Sequence, residues 1–193
     1  RMLHIRARSG VVITTGNFTF NKQMIAEHVP LLSETCEPLG VPSNDGLGTR
    51  LGMAAGGAAQ GMDGVCATAS IYPPGQLIKG ILVNSRGERF VAEDSYHGRT
   101  ADFVKEQPDQ RAWLIVDSEI FAYPEIQTHK HTLVDGWETV AEMEAGLELP
   151  AGSLQKTLAE YNRHAAEGRD PFLYKAAEWL KPLDKAPYAA FDI

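Results

Sequence analysis

The stretch at residues 80–99, GILVNSRGERFVAEDSYHGR, is the part of the chain around which we expect the fold to be organised. Residues 81–83, ILV, form a short apolar run that is typical of a buried strand. Residues 84–87, NSRG, have the composition of a tight turn, and residues 89–93, RFVAE, bring the chain back. The stretch therefore predicts a β-hairpin.

The hairpin is followed by the densest group of polar side chains in the sequence, which we name the exit loop (residues 94–99). Its side chains surround Gly98 and are Asp94, Ser95, Tyr96, His97 and Arg99. No aliphatic residue among them offsets the cost of burying so many polar groups. Such a segment lies at an edge or in a cleft, where functional loops are common. Two interpretations stay open: a functional loop, or the solvated end of a hairpin.

Composition and charge narrow the class of protein. The chain has 193 residues, of which 44% are hydrophobic and 22% are charged, and these fractions are typical of a globular domain. Its net charge of −7, without a basic block, argues against binding to nucleic acids or to anionic membranes. No apolar run approaches the roughly 20 residues that a membrane-spanning helix needs, and no signal peptide is recognisable.

The cysteines and histidines predict no metal site. Cys36 and Cys66 lack the spacing of metal ligands and suit the reducing cytoplasm, which is the expected compartment. His129 and His131 have no carboxylates beside them, and we interpret them as surface residues. The chain begins inside an alternating pattern, without methionine at position 1, and ends on an apolar segment. We therefore expect it to be a piece of a longer protein.

The first third of the chain contains a continuous β-branched run at residues 10–15, GVVITT, followed by Gly16. A run that is apolar on both faces predicts a central strand of a parallel sheet. Thr14, Thr15 and Gly16 lie at its carboxyl end, where open α/β sheets bind ligands. The alternative, a strand that simply leaves the sheet through a glycine turn, stays open.

Two helices are predicted after this run. Asn21 is a suitable N-cap for a helix at residues 22–28. Asp45 and Gly46 precede a second helix at residues 47–62, which is rich in glycine and alanine. Because the first N–H groups of a helix lack partners, Asp45 would lie beside these donors and could also accept a hydrogen bond from a ligand hydroxyl.

The later part of the chain predicts both helices and strands. We expect helices at 100–105, 138–145 and 172–180, a buried strand at 111–116 and an extended final segment at 182–193. The clearest helix starts after Pro150 and ends at Gly168. Its apolar face contains Leu154, Leu158, Tyr161 and Ala165.

Several of these stretches follow one another in a specific order. They are GVVITTGNF at 10–18, NDG at 44–46 opening a helix of small residues, GILVN…GERFV…E between 80 and 93, and TLAEYN at 157–162. Each motif alone is weak, but their order covers nearly the whole chain. In combination they resemble the FAD-dependent fumarate reductase/3-ketosteroid dehydrogenase flavoproteins.

The resemblance implies an α+β fold with part of a Rossmann-type FAD-binding domain, followed by a succinate dehydrogenase/fumarate reductase-type catalytic cap domain. It assigns residues 1–66 to the end of an FAD-domain segment, 67–182 to the cap domain and 183–193 to the return toward the FAD-binding domain. FAD is the implied cofactor. The family's glycine fingerprint and its carboxyl-terminal FAD segment are missing from the sequence. We therefore expect little flavin binding by this chain alone, and the remaining FAD-binding segments of the parent protein as its partners.

Within the family, the resemblance is stronger to the steroid dehydrogenases than to the fumarate reductases. Fumarate reductases have His-Pro-Thr where this chain has Cys-Ala-Thr at 66–68. Their proton-donating arginine also follows the glutamate sooner than Arg99 follows Glu93 in this sequence. Gln-Leu-Ile at 76–78 and the exit loop are most similar to the 3-ketosteroid Δ4-(5α)-dehydrogenases, which place a catalytic tyrosine in this loop.

The resulting hypothesis is FAD-dependent dehydrogenation of a CH–CH bond beside the ketone of a small hydrophobic, steroid-like substrate. Tyr96 would remove the proton α to the carbonyl, while a hydride passes from the neighbouring carbon to flavin N5. Since tyrosine ordinarily has a pKa of about 10, His97 and Arg99 would have to favour its anion. The residues expected beside the FAD are Thr14, Thr15, Gly16, Asp45 and Gly46.

Two alternatives stay open. The first is a fumarate or urocanate reductase-type flavoprotein, which runs the reverse chemistry on a polar substrate. The second is a cap or interaction module that is inactive on its own, in which Tyr96 is only a loop aromatic packed on the hairpin.

Overall fold

A computed structural model of the chain describes residues 4–32, 36–69, 71, 74–123 and 132–193. The chain divides into two compact units, Arg1–Cys66 and Ala67–Ile193. His129 and His131 lie outside the described residues. Among the described residues, no helix has both the length and the apolar character required to cross a bilayer.

The first unit contains two short α-helices, α1 (Lys22–His28) and α2 (Leu47–Ala54), and a 3₁₀ turn at Pro30–Leu32. Helix α1 confirms the predicted helix at 22–28. Its N-cap is Asn21, whose side-chain oxygen accepts a hydrogen bond from the backbone N–H of Met24 at 3.1 Å.

The structure contradicts the predicted central strand at residues 10–15. None of these residues is in a strand, and Val11 and Val12 are 80% and 87% exposed. A β-branched run becomes a strand only when a neighbouring backbone pairs with it. No described segment of the first unit pairs with residues 10–15.

Helix α2 is shorter than the predicted 47–62, because two glycines end it. Gly56 has a left-handed φ of +95°, and its N–H donates to the carbonyl of Met53 at 2.9 Å. The N–H of Gly57 donates to the carbonyl of Gly52 at 2.9 Å. These two bonds satisfy the last carbonyl groups in the Schellman arrangement, which terminates a helix.

The second unit is built on a four-stranded sheet with the order β1-β2-β4-β3, and all neighbouring strands are antiparallel. The strands are β1 (Ile81–Asn84), β2 (Ala112–Asp117), β3 (Leu133–Trp137) and β4 (Tyr188–Asp192). Strand β2 confirms the predicted strand at 111–116. Strand β4 lies between β2 and β3 inside this unit, whereas the resemblance assigned residues 183–193 to a return toward the FAD-binding domain. That assignment of segments to domains stays a prediction.

In the part of the second unit that the structure describes, four α-helices and three 3₁₀ helices accompany the sheet. The α-helices are α3 (His97–Lys105), α4 (Ser118–Phe121), α5 (Val140–Gly146) and α6 (Ser153–Ala166). The 3₁₀ helices are Gly75–Lys79, Pro108–Gln110 and Ala177–Trp179. Helices beside an antiparallel sheet confirm the α+β class.

Helices α5 and α6 confirm the predicted helices at 138–145 and after Pro150. The predicted apolar face of α6 is buried, and it belongs to the same core as the sheet residues. Leu154, Leu82 and Leu114 are fully buried there, and each such leucine stabilises the folded state by about 2 kcal/mol. The core therefore lies between the sheet and the helices α5 and α6.

The predicted hairpin is only half formed. Strand β1 and the turn at 84–87 are present, but the returning residues 89–93 make a single bridge, between Val83 and Arg89. The reason is the Glu93 side chain, because its Oε1 accepts the Leu82 N–H at 3.0 Å. A carboxylate thus takes the place of a strand carbonyl along β1.

The predicted helix at 172–180 is wrong, apart from the 3₁₀ turn Ala177–Trp179. The Asp170 carboxylate accepts hydrogen bonds from the N–H groups of Phe172 and Leu173, at 3.3 and 3.2 Å. Such a local turn competes with helix formation. Tyr174 then has a left-handed φ of +62°, which no helix continues.

Helix α6 is capped by a residue of α5. Gly152, at the N-cap position, has no side chain, and the Glu144 carboxylate accepts its N–H at 2.5 Å together with those of Leu154 at 2.8 Å and Gln155 at 3.2 Å. Burial opposes ionisation of Glu144, but these hydrogen bonds hold the pKa of its carboxyl below the usual value of 4.5.

We expect Glu144→Gln to lower the free energy of unfolding by about 1 to 3 kcal/mol at neutral pH, because a charge-assisted cap is lost. Since the folded-state pKa of Glu144 is lowered, its stabilisation is present above the ordinary carboxyl pKa and disappears as the pH falls. Urea unfolding of wild type and variant at neutral and acid pH measures both effects. If the difference in free energy of unfolding between wild type and Glu144→Gln is the same in acid, the charge of Glu144 does not contribute to the cap.

Candidate functional site

The exit loop ends in the first turn of helix α3, which begins three residues earlier than predicted. Tyr96 occupies the N-cap position, and its carbonyl accepts the N–H of Thr100 at 3.0 Å. The carbonyl of His97 accepts the N–H of Ala69 at 3.1 Å, which joins the start of α3 to the segment that precedes β1. Tyr96, His97 and Arg99 are therefore placed by a helix start and not by a loop.

Two of the three predicted catalytic residues are in direct contact. The ring centroids of Tyr96 and His97 are 4.3 Å apart, with a tilt of 36° between the rings. Tyr96 is 63% exposed, so a ligand can reach its ring. The Arg99 guanidinium instead packs over Phe103, 5.4 Å from the ring centroid. The structure thus brings together Tyr96 and His97, and it pairs Arg99 with the next turn of α3.

Behind the exit loop lies a buried group of four charged side chains, which we name the charge quartet: Arg89, Glu93, Asp170 and Lys175. Arg89 donates to both oxygens of Glu93, at 3.0 and 2.7 Å, and to Asp170 at 3.0 Å. The ammonium of Lys175 lies 3.2 Å from Glu93 and donates to the carbonyl of Gly80 at 2.7 Å. Two positive and two negative groups therefore balance inside the unit.

The quartet shifts the pKa values of its own members. Burial alone would raise the pKa of the Glu93 carboxyl, but Lys175 and Arg89 hold it below its usual range. Burial would likewise raise the pKa of Asp170, and Arg89 again keeps it low. Burial lowers the pKa of Lys175, although Glu93 acts in the opposite direction. Both carboxyl groups are thus held in the ionised form.

The quartet also fixes the entry to the exit loop. Glu93 is tied to Arg89 and Lys175, and the adjacent Asp94 accepts the N–H of Ala176 at 2.9 Å. Two successive residues before Tyr96 are therefore joined to the segment at 170–176. The exit loop is recognisable in the sequence, whereas Asp170 and Lys175 are not recognisable there as part of the site. The sequence contains one signal of a buried ion pair. Glu93 follows Arg89 by four residues, in a segment whose other residues are typical of a buried strand.

A second tyrosine differs from Tyr96 in its environment. The ring of Tyr161 lies under both cations, with its centroid 4.7 Å from the guanidinium carbon of Arg89 and 5.3 Å from the Lys175 ammonium. Burial raises the pKa of Tyr161 above its ordinary value, which disfavours its phenolate. Tyr161 therefore suits packing inside the core and not proton abstraction.

The predicted cofactor residues of the first unit lie together. The N–H of Gly46 donates to the carbonyl of Asn17 at 3.0 Å, and this bond joins residues 14–17 to the start of α2. The Thr15 hydroxyl packs directly on Gly48, where a Cβ would collide with it. Thr14 and Thr15 are exposed.

Glycines shape this cluster. Gly16 and Gly46 have left-handed φ values of +81° and +76°, and the Asn44 side chain fills the space where a Cβ of Gly16 would lie. The Asp45 carboxylate accepts the N–H of Leu47 at 2.9 Å and remains half exposed, 3.8 Å from Arg50. Exposed hydroxyls, a carboxylate and close backbones fit a hydroxyl-bearing ligand such as part of FAD. Within the described ranges, no group of three His, Cys, Asp or Glu side chains is placed to hold a metal ion.

Comparison with known proteins agrees with the order of motifs. The profile of the family described as FAD binding domain matches residues 1–193. The crystal structure of a 3-ketosteroid-Δ4-(5α)-dehydrogenase from Rhodococcus jostii RHA1, in complex with 4-androstene-3,17-dione, superposes with a TM-score of 0.79. The two proteins are 38% identical, and the match covers 97% of this chain and 39% of that one.

Two further relatives represent both branches of the resemblance. A probable fumarate reductase of Shewanella frigidimarina is 25% identical, and the match covers 95% of this chain and 32% of that protein. A 3-oxo-5-alpha-steroid 4-dehydrogenase of Comamonas testosteroni is 40% identical over 81 residues, which are 42% of this chain and 15% of that protein. The chain thus spans less than half the length of each of these three relatives.

Proposed function

Because the chain belongs to the family of FAD binding domains, we propose that it forms part of an FAD-dependent oxidoreductase that dehydrogenates a 3-ketosteroid-like substrate. The observation that carries this proposal is the similarity over nearly the whole chain to a dehydrogenase crystallised with a 3-ketosteroid. The reaction removes a proton from the carbon beside the ketone and a hydride from the neighbouring carbon.

Tyr96 is the proposed base. When bound, FAD supplies the acceptor for the hydride. The Tyr96 ring is exposed, so its hydroxyl can meet a substrate carbon, and general bases of this kind accelerate a reaction by about 10²- to 10⁴-fold. His97 contacts the ring at 4.3 Å and would stabilise the phenolate, which is the form of Tyr96 that accepts the proton. Since Arg99 packs over Phe103, its proposed contribution is its positive charge and not a contact.

The cofactor contacts are proposed for Thr14, Thr15, Gly16, Asp45 and Gly46. The support for this proposal is that Thr14 and Thr15 are exposed and that the half-exposed Asp45 lies at the start of α2. Asp45 would accept a hydrogen bond from a ligand hydroxyl. The partners would be a steroid-like substrate and the remaining FAD-binding segments of the parent protein, and the cytoplasm stays our proposal for the compartment.

A second candidate is a fumarate or urocanate reductase, and the fumarate reductase relative that matches 95% of this chain favours it. Polar dicarboxylates, unlike steroids, need cationic side chains that bind both carboxylates. Two buried cations of the second unit, Arg89 and Lys175, are already paired with Glu93. This pairing favours the steroid substrate.

The substrate is tested in the complete, FAD-loaded protein under anaerobic conditions. We expect a 3-ketosteroid with a saturated first ring to bleach the flavin absorbance, and fumarate to leave chemically reduced flavin unchanged. Fumarate-dependent reoxidation without steroid-dependent bleaching would favour the second candidate. Visible flavin absorbance in the purified chain by itself would contradict the expectation that this chain alone binds little FAD.

A further inference from the structure

Gly98, in the first turn of α3, lies directly against the ring of Tyr96. A Cβ placed on Gly98 would be 2.8 Å from Cε1 of Tyr96 and 3.3 Å from Cδ1. The first distance is shorter than any ordinary carbon–carbon contact. The ring therefore occupies the volume that any other residue at position 98 would need.

The backbone of Gly98 does not require glycine. Its φ lies outside the left-handed region, as the helical conformation of α3 demands. The next neighbour of the Cβ position, the carbonyl oxygen of Ala67, is 3.8 Å away, which is an ordinary contact. In a helix, glycine is about 1 kcal/mol less favourable than alanine. Of the described neighbours, the Tyr96 ring is thus the one that accounts for a glycine here.

The ring has a second contact that defines its orientation. His97 lies 4.3 Å from it between centroids, and the Tyr96 carbonyl is bound by the N–H of Thr100. The backbone of Tyr96 is therefore fixed by α3, and its ring rests on Gly98 and against His97. Few rotamers of the tyrosine satisfy all three constraints.

We propose that Gly98 is a positioning residue for Tyr96: the missing side chain at position 98 sets the ring orientation that proton abstraction requires. This inference rests on the proposed role of Tyr96 as the base. A methyl group at position 98 would push the Tyr96 ring back by about 1 Å, from 2.8 Å to an ordinary contact distance. A displacement of that order at a reacting group costs about 10²-fold in rate.

The test is Gly98→Ala in the complete, FAD-loaded protein, with single-turnover flavin reduction by a 3-ketosteroid as the readout. We expect the reduction rate at saturating steroid to fall by about 10- to 100-fold, with little change in the steroid concentration at half saturation. Thermal stability should stay equal or rise, because alanine favours the helix. The control is Asp102→Ala on the same helix, whose side chain is 70% exposed and whose reduction rate should not change.

Comparison with Tyr96→Phe separates this inference from the proposed function. In the Tyr96→Phe background, Gly98→Ala should cause little further loss, because no base remains to be misplaced. If Tyr96→Phe is inactive while Gly98→Ala reduces flavin at the wild-type rate, the positioning role is overturned and the base assignment stands. A Gly98→Ala protein that loses FAD or melts at lower temperature would show a packing role, and this outcome also overturns the inference.

Discussion

Tyr96→Phe is expected to lower the rate of steroid-dependent flavin reduction by about 10²- to 10⁴-fold, which is the usual contribution of a positioned general base. The physical reason is that the substitution removes the hydroxyl and leaves the ring. The packing on Gly98 and His97 is then retained. The measurement is anaerobic single-turnover reduction of the FAD-loaded protein, followed by the loss of flavin absorbance.

Tyr174→Phe is the matched control for this experiment. It makes the same chemical change in the same unit, on a side chain that is 81% exposed, and it should leave the rate unchanged. Steroid binding to the Tyr96→Phe protein should persist, because the hydroxyl acts in the transition state and not in the ground state. If the Tyr96→Phe protein reduces flavin at nearly the wild-type rate, the assignment of Tyr96 as the base is wrong.

Arg89→Met is expected to lower the free energy of unfolding by about 3 to 5 kcal/mol, the cost of breaking a buried ion pair from one side. Arg89 is the cation that Glu93 and Asp170 share, and Glu93 is fully buried. Its removal leaves two carboxylates with only one remaining cation, Lys175, which pairs with Glu93. Urea unfolding followed by circular dichroism measures the loss.

Arg86→Met is the matched control. It makes the same chemical change three residues earlier in the chain, at an arginine whose ion pair is exposed. Arg86 and Glu88 lie 2.9 Å apart, but their side chains are 57% and 59% exposed, and such pairs contribute less than about 1 kcal/mol. If Arg86→Met and Arg89→Met lower the free energy of unfolding equally, burial of the ion pair is not the cause of the loss.

The contribution of Arg89 to the free energy of unfolding should also depend on pH. In the folded state, the pKa values of Glu93 and Asp170 are lowered. Their stabilisation is therefore present above the ordinary carboxyl pKa of about 4 and is lost as the pH falls through the folded-state values. The difference between wild type and Arg89→Met should shrink in acid. If the difference in free energy of unfolding between wild type and Arg89→Met grows in acid, the conclusion that Glu93 and Asp170 are ionised is wrong.

The elements that the sequence predicts well depend on local interactions. Asn21 caps its own helix, and the face formed by Leu154, Leu158 and Tyr161 recurs at the helical period, so neighbouring residues contain most of the information. The same holds for the strand at 112–117, whose apolar run is buried at every position. Such signals need no knowledge of the rest of the chain.

The wrong predictions concern segments whose structure depends on a distant partner. Residues 10–15 have a strand composition, but no described neighbour of the first unit pairs with them. Residues 89–93 also read as a strand, but Glu93 turns inward to Arg89 and Lys175. The segment at 172–180 reads as a helix, but Asp170 forms a local turn and an ion pair with Arg89. In the last two segments a tertiary contact overrides the local preference, whereas residues 10–15 lack a described partner strand.

Residue types and their order are enough to predict the motifs that identify the family, the main helices and the position of the exit loop with Tyr96, His97 and Arg99. These features depend on residue type and spacing along the chain. The folded chain is needed to see that Arg89 meets an aspartate 81 residues away. It also shows that the Tyr96 ring rests on Gly98 and that Arg99 packs over Phe103. The reason for the first contact is that spacing along the chain does not specify which distant segment meets Arg89. The reason for the other two is that side-chain rotamers, which spacing leaves open, decide where Tyr96 and Arg99 point.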